Sequence, residues 1–297
     1  MSQTPSSSLS RFRYFSQREE YLSWLDDPQC QPMRRLVEAP VATALARGET
    51  LNFFCHAHQS TGQLVYSPNA ATSSGYYWRE SGACNVCGAI TRIRLAAEWF
   101  HRAAANTVQP RIYLTEQLTP LYKVLRKSFP NIVGSEFTPD ENERSKASWQ
   151  LKAYLLAPMA QIRHEDVCNL AFADESFDLI GSFDVLEHVP DYKQALSEFR
   201  RVLRVGGQLL LTAPFLTASP KTLVRAGFEN GTLVHFEPPE YHGNPTIPDD
   251  GVLCFYHFGW GLLDALRSAG FRSVAMLDAW GEETALFGDQ NAIVATS

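Results

Sequence analysis

From Arg111 to the C-terminus, short apolar runs alternate with amphipathic helical stretches, and few folds satisfy that alternation. Strand-sized segments separated by helices cannot close as hairpins, so they read as a doubly wound, mostly parallel α/β sheet covered on both faces. RIYL (111–114) is the first expected strand. Thr119-Pro120 starts a helix, with Thr as N-cap and Pro in first position, and LYKVLRKSF continues it. NIVGSEF is a second strand, and AQIRHEDV a third after a poorly patterned polar stretch over 138–158. SFDLIGSFDVL is the fourth. A helix over Tyr192–Val205 follows, with Ala195, Leu196, Phe199, Val202 and Leu203 on one face, and Gly206-Gly207 stop it. GQLLLTAPF is apolar on both faces, as a central strand should be. Residues 217–257 read as a long irregular stretch, Gly259–Ala269 as a helix, and SVAML and AIVAT as two late strands.

The front of the chain has another texture. Residues 17–47 read as two helices broken near Asp27-Pro28, packing through Tyr21, Leu22, Trp24 and Leu25, then through Leu36, Val37, Val41 and Leu45. Short β-prone pieces fill Leu51 to Arg94, and Ala89–Ala105 is helical in spacing. Residues 1–110 carry 10 Lys and Arg against 8 Asp and Glu, while residues 111–297 carry 16 against 24. Proteins that grip nucleic acid draw affinity from neutralising phosphates, so this balance disfavours a nucleic-acid partner and favours a small or weakly charged one. No apolar run reaches the roughly 18 residues a membrane helix needs. The Ser-rich start lacks the apolar core of a secretory signal, so a flexible tail (1–16) and a cytoplasmic location are expected.

Six cysteines stand at 30, 55, 84, 87, 168 and 254. In a reducing compartment Cys-x-x-Cys points to metal or redox chemistry before a disulfide. Cys55-His-Ala-His58 and Cys84-Asn-Val-Cys87 form two knuckles, and His58 keeps the spacing that His56 would break. Zn²⁺ takes four tetrahedral N or S ligands, so Cys55, His58, Cys84 and Cys87 are the candidate structural zinc set. The alternative is that Cys84 and Cys87 are buried thiols.

Ligands of doubly wound sheets bind beyond the carboxyl ends of the strands, where an acidic residue about 20 positions after the first turn takes ribose hydroxyls. Glu136 ends the second strand 20 positions beyond Glu116, which ends the first, and Asp166 follows the third.

The block from Arg163 to Phe215 resembles the core of class I S-adenosylmethionine (SAM) dependent methyltransferases of the type 11 group. Asp166, Phe177-Asp178, Leu186-Glu187-His188-Val189-Pro190 and the Arg-Val-Gly-Gly turn carry the likeness. Trp78-Arg79-Glu80-Ser81 with the second knuckle is similar to the zinc-ribbon-like front of some bacterial members. The resemblance implies a Rossmann-like seven-stranded sheet over 111–297 with an antiparallel last strand, behind a helical and zinc-ribbon-like module over 17–110. It also implies that Glu136 binds the SAM ribose, that Asp166 and Val167 hold the adenine, and that Ser182 and Phe183 lie near the methionine.

One departure stands out: residues 113–129 contain no glycine where the family has a glycine-rich loop. Glu116 and Gln117 are then candidates for the SAM amino group, and the helix start at Thr119 for its carboxylate. His188 is the candidate base, or else a residue capping its turn. Tyr241, His242, Tyr256 and His257 would cover the acceptor, as binding groups or as an aromatic lid. The expected function is methyl transfer to a small molecule, with a sugar or saccharide hydroxyl leading. The alternatives are an RNA methyltransferase gripping through the zinc module, or an inactive scaffold. The sequence leaves the oligomeric state open.

Overall fold

The computed structural model describes residues 10–28, 30–72, 75–244 and 247–297. The chain forms two compact units, Met1–Asn106 with Met276–Asn291, and Thr107–Ala275 with Ala292–Ser297. The sequence reading leaves 276–291 with the α/β domain.

In the first unit β1 (Arg11–Phe15), α1 (Arg18–Leu25) and α2 (Gln31–Ala46) precede β2 (Asn52–Cys55) and β3 (Ser60–Val65). The two-residue strands β4 (Ala71–Thr72), β5 (Gly75–Tyr76) and β6 (Ala83–Cys84) follow, then α3 (Thr91–Ala104). Residues 11–15, expected in a flexible tail, are instead a strand paired antiparallel from Arg11↔Trp280 to Phe15↔Met276. Three aromatics in five residues favour a strand. Ser10 ahead of it is buried, its N–H and hydroxyl donating to Glu98 at 2.9 and 2.7 Å. The rest of that tail, residues 1–9, lies outside the described residues. The break near Pro28 falls between α1 and α2 as expected, but Leu36 is 72% exposed, and α2 buries Leu45 and Arg34 instead. Arg34 is held there by an ion pair with Asp278.

The second unit contains β7 (Ile112–Leu114), α4 (Pro120–Ser128), β8 (Ile132–Gly134), α5 (Glu141–Leu155), β9 (Phe177–Phe183), α6 (Tyr192–Val202) and β10 (Leu203–Thr212). It continues with β11 (Leu223–Val224), β12 (Ala226–Glu229), β13 (Thr232–His235), β14 (Tyr241–Asn244), β15 (Ile247–Leu253), β16 (Tyr256–His257) and α7 (Gly261–Ser268). The long strands β17 (Ser273–Gly281) and β18 (Leu286–Thr296) contribute to both units. The large sheet has the order β1-β17-β18-β10-β9-β7-β8. Strands β8, β7, β9 and β10 run parallel, and β18 is antiparallel to β10. All seven residues of β9 are buried, as a strand covered on both faces requires.

The sheet has the seven strands expected, but not the same seven. AQIRHEDV contributes one parallel bridge, Glu136↔His164, and no strand. Its chain turns away because Asp166 accepts the Cys168 N–H at 2.9 Å through its carboxylate and the Asn169 N–H at 2.9 Å through its carbonyl. The polar stretch before it forms α5, capped by Asp140 accepting the Glu143 N–H at 2.9 Å. Only Ala147 and Leu151 of α5 are buried, an apolar stripe too narrow to register as a period. Helix α6 stops at Val202, three residues early, since Leu203 already pairs with Phe177 and the glycine pair falls in a register shift inside β10. The stretch 217–257 is not irregular: it folds into the ribbons β11/β16, β12/β13 and β14/β15. No described helix is long and apolar enough to cross a membrane.

Candidate functional site

At the carboxyl ends of β7 and β8 the side chains form one hydrogen-bonded bracket. Glu136 Oε1 accepts the N–H groups of Gln117 and Leu118 at 2.7 and 2.8 Å. Burial raises the pKa of Glu136, and those two donors oppose the rise. Gln117 uses its own amide elsewhere: its Oε1 accepts the Arg163 N–H at 2.7 Å and its Nε2 donates to Gln161 O at 3.3 Å. Thr119 accepts the Tyr122 N–H as N-cap at 3.3 Å and donates to Glu116 Oε1 at 2.6 Å. The helix start therefore already carries the protein's own carboxylate.

The glycine missing from this loop stands on the neighbouring strand. A Cβ on Gly134 would lie 2.6 Å from Glu116 O, 2.6 Å from Gln117 Cγ and 2.7 Å from Tyr122 Cε2. Close approach of loop to strand thus needs glycine at 134 rather than in 113–129. Further along the strand ends, Ser182 is fully buried and accepts from Thr115 Oγ1 at 3.3 Å, and Phe183 is buried beside it. Asp166 is exposed and Val167 half-buried.

Past β9 lies a second cluster. His188 Nδ1 is 2.8 Å from Leu253 O; a carbonyl only accepts, so Nδ1 is the donor of that bond and Nε2 is left facing the rest of the cluster. His242 Nε2 contacts Glu240 Oε1 at 2.9 Å, and His257 Nε2 reaches the same oxygen at 3.1 Å. Arg225 pairs with Glu240 Oε2 at 3.1 Å. Glu187 is fully buried, with its Oε1 3.6 Å from His242 Nδ1 and 3.8 Å from His188 Nε2. Glu187 first, against burial, and then Glu240 push the His242 imidazole up to about 9.

Of the residues singled out in the sequence, His188, His242 and His257 are brought together here. Tyr256 is not: its hydroxyl donates to Pro190 O at 2.5 Å and its ring packs on Tyr192 and Phe258. Tyr241 is 57% exposed. Glu187 and Glu240 are missed by sequence reasoning, although Glu187 adjoins His188 and Glu240 stands two residues before His242. A run of charged letters carries no mark of which carboxylate folding will bury.

In the first unit, β2 and β3 pair from Asn52↔Gln63 to Cys55↔Ser60 and β3 pairs β6 at Leu64↔Cys84, which gathers the two knuckles. The ligand atoms of Cys55, His58, Cys84 and Cys87 all lie within 4.8 Å of one another. Tetrahedral Zn–S bonds of about 2.3 Å place sulfur pairs about 3.8 Å apart. Cys55 Sγ and Cys87 Sγ are 3.7 Å apart, and Cys84 Sγ is 3.8 Å from His58 Nδ1. A Cβ on Gly62 would lie 2.6 Å from Cys84 Sγ, so a glycine keeps the cradle open. The hydrogen bond from Cys55 pulls Cys87 down to about 5, while Cys55 is pushed up. Fully buried Arg94, donating to Ala89 O at 3.2 Å and Ala285 O at 2.5 Å, places a positive charge beside the thiols. The residues fit a zinc ion.

The large sheet, with β8, β7, β9 and β10 parallel and β18 antiparallel beside them, is a Rossmann-like α/β sheet. Residues 118–211 match the methyltransferase domain family. Over 64 residues the chain is 42% identical to a "probable S-adenosylmethionine-dependent methyltransferase" of Mycolicibacterium smegmatis, covering 21% of this chain and 25% of that protein. Over 106 residues it is 30% identical to a demethylmenaquinone methyltransferase of Bacillus cereus, covering 36% and 41%. The chain thus spans a quarter to two-fifths of the length of these curated relatives. Among solved structures, SAM-bound CalS10, an amino pentose methyltransferase of Micromonospora echinaspora, is similar at a TM-score of 0.46 and 16% identity, over 69% of this chain and 91% of that one.

Proposed function

We propose that the second unit is a SAM-dependent methyltransferase acting on a small molecule, at a hydroxyl of a sugar or saccharide. The observation that carries this reading is Glu136: at the end of β8 it spends one oxygen on the loop after β7 and leaves Oε2 for the ribose hydroxyls. Asp166, with the Val167 N–H, would read the adenine edge. Glu116, held by Thr119, would face the methionine amino group, with Gln117 fixing the loop and Ser182 and Phe183 forming the floor. SAM supplies the electrophilic methyl group. The chain's own part is to align the acceptor, exclude water and take its proton. His188, oriented by its Nδ1 bond to the Leu253 carbonyl, would offer Nε2 as the base past β9. The acceptor side offers His242, His257, Glu240 and Arg225, with Tyr241 and Tyr256 at the rim, and this polar lining suits a polyhydroxylated molecule. A structural zinc at Cys55, His58, Cys84 and Cys87 would hold the front module together.

Calorimetry with SAM on the wild type and on Glu136→Gln tests the cofactor half. Binding by the wild type and at least tenfold weaker binding by the variant support it, and no heat at millimolar SAM refutes it. A screen of sugar and glycoside acceptors with labelled SAM tests the acceptor.

A further inference from the structure

The carboxylate of Glu187 is fully buried, and among the described residues neither of its oxygens accepts a hydrogen bond. A buried carboxylate with no hydrogen bond at either oxygen points to a water or an ion held against it. Glu240 shares the neighbourhood but is already served by His242, His257 and Arg225. The two histidine nitrogens that face it, His242 Nδ1 and His188 Nε2, stand 3.6 and 3.8 Å from Oε1 of Glu187, beyond hydrogen-bond range. His188 commits its Nδ1–H to the Leu253 carbonyl, and His242 directs Nε2 to Glu240, so one nitrogen of each ring is left facing Glu187.

Three electron-pair donors thus converge: Glu187 Oε1, His188 Nε2 and His242 Nδ1, all within 4.8 Å of one another. Each imidazole has its far N–H fixed by a carbonyl or a carboxylate, the outer arrangement that orients histidine ligands of metals. We infer that Glu187, His188 and His242 form a binding site for a first-row divalent cation, distinct from the cysteine site of the first unit. Two imidazoles and one carboxylate suit Zn²⁺, Mn²⁺ or Fe²⁺ and leave coordination positions open. Metal bonds of about 2.0–2.1 Å imply donor separations of about 3.3–3.4 Å in a tetrahedron. The two measured separations from Glu187, 3.6 and 3.8 Å, close to that with a shift of a few tenths of an ångström.

The site stands on its own geometry. Its use rests on the methyl-transfer reading: an acceptor oxygen in an open position would lose its proton more readily, and His188 would then be a ligand instead of the base.

The test is Mn²⁺ binding to the full chain followed by electron paramagnetic resonance, because Mn²⁺ prefers nitrogen and oxygen donors to thiolates. The expected result is one bound Mn²⁺ per chain. Binding should weaken at least tenfold in Glu187→Gln and in His242→Asn, and remain unchanged in Asp264→Asn, an exposed carboxylate on α7. Circular dichroism and SAM calorimetry on the same variants check folding and, separately, the cofactor reading. No bound Mn²⁺ in the wild type, or equal binding in wild type and both variants, overturns the proposal and leaves protonated His242 as the counter-charge. Loss of SAM binding with Mn²⁺ retained would instead remove the methyl-transfer reading and keep the metal site.

Discussion

Replacing Gly134 by alanine tests how the loop after β7 works without a glycine of its own. The added methyl would sit 2.6 Å from the backbone oxygen of Glu116, and a backbone atom cannot rotate aside as a side-chain end can. Ordinary contact would require the loop to lift by roughly 0.8 Å or more, given carbon contacts near 3.5 Å. That displacement stretches the two N–H bonds from Gln117 and Leu118 to Glu136, now 2.7 and 2.8 Å. Overpacking costs about 1–3 kcal/mol, and weakening two hydrogen bonds to a carboxylate adds about 1 kcal/mol or more. A loss of about 2–4 kcal/mol lowers Tm by roughly 5–15 °C for a unit of this size. If the bracket also shapes the cofactor site, SAM binding should weaken at least tenfold, the equivalent of about 1.4 kcal/mol. Differential scanning calorimetry and SAM titration read both quantities. Gly243→Ala is the control, since a Cβ there meets nothing within 4 Å. A Gly134→Ala protein matching the wild type in both Tm and SAM affinity would refute the account of the loop.

Further outcomes follow from named contacts. Cys84→Ser or Cys87→Ser should remove one zinc per chain by elemental analysis and melt the front module first, because structural zinc contributes folding free energy directly. Gly62→Ala should weaken zinc retention, since its methyl would meet Cys84 Sγ at 2.6 Å. Glu198 is paired with Arg201 at 2.7 Å and accepts the Leu170 N–H at 2.8 Å; the Arg201 bond, opposed by burial, holds its pKa below the usual 4.5. A depressed carboxylate stabilises the fold above its unfolded pKa and loses that contribution as pH falls through the folded value. Glu198→Gln should therefore cost about 2 kcal/mol at pH 7 and flatten the acid limb of stability below about pH 4.5 in urea titrations. His188→Asn should lower kcat while leaving SAM affinity within about threefold, because the side chain lies past β9 and outside the loop bracket.

Much of the second unit was legible because its central strands are buried on both faces and α4 and α6 carry wide apolar stripes. RIYL, SFDLIGSFDVL and the Thr119 cap follow from composition and period alone. The parts that misread share a cause: their fate depends on partners far away in sequence. Residues 11–15 become a strand only because β17 offers an edge, with Phe15 opposite Met276. AQIRHEDV loses its strand because Asp166 turns the chain back on itself. The ribbons of 217–257 are strands of two to seven residues, too short to show a period.

The site follows the same division. Residues at strand ends could be picked out because topology alone sends them to the ligand side of the sheet. What each side chain does there could not. Gln117 is a strong donor and acceptor in the sequence, yet the structure shows both its ends tied to residues 161 and 163. The missing glycine falls under the same rule: close packing needs one small residue at a contact, not a glycine in a given segment, and β8 supplies it at 134. Glycine-free loops after a first strand are therefore better judged by the neighbouring strand than by the loop itself. Removing Gly134 should damage this chain as removing a loop glycine damages a chain that carries one.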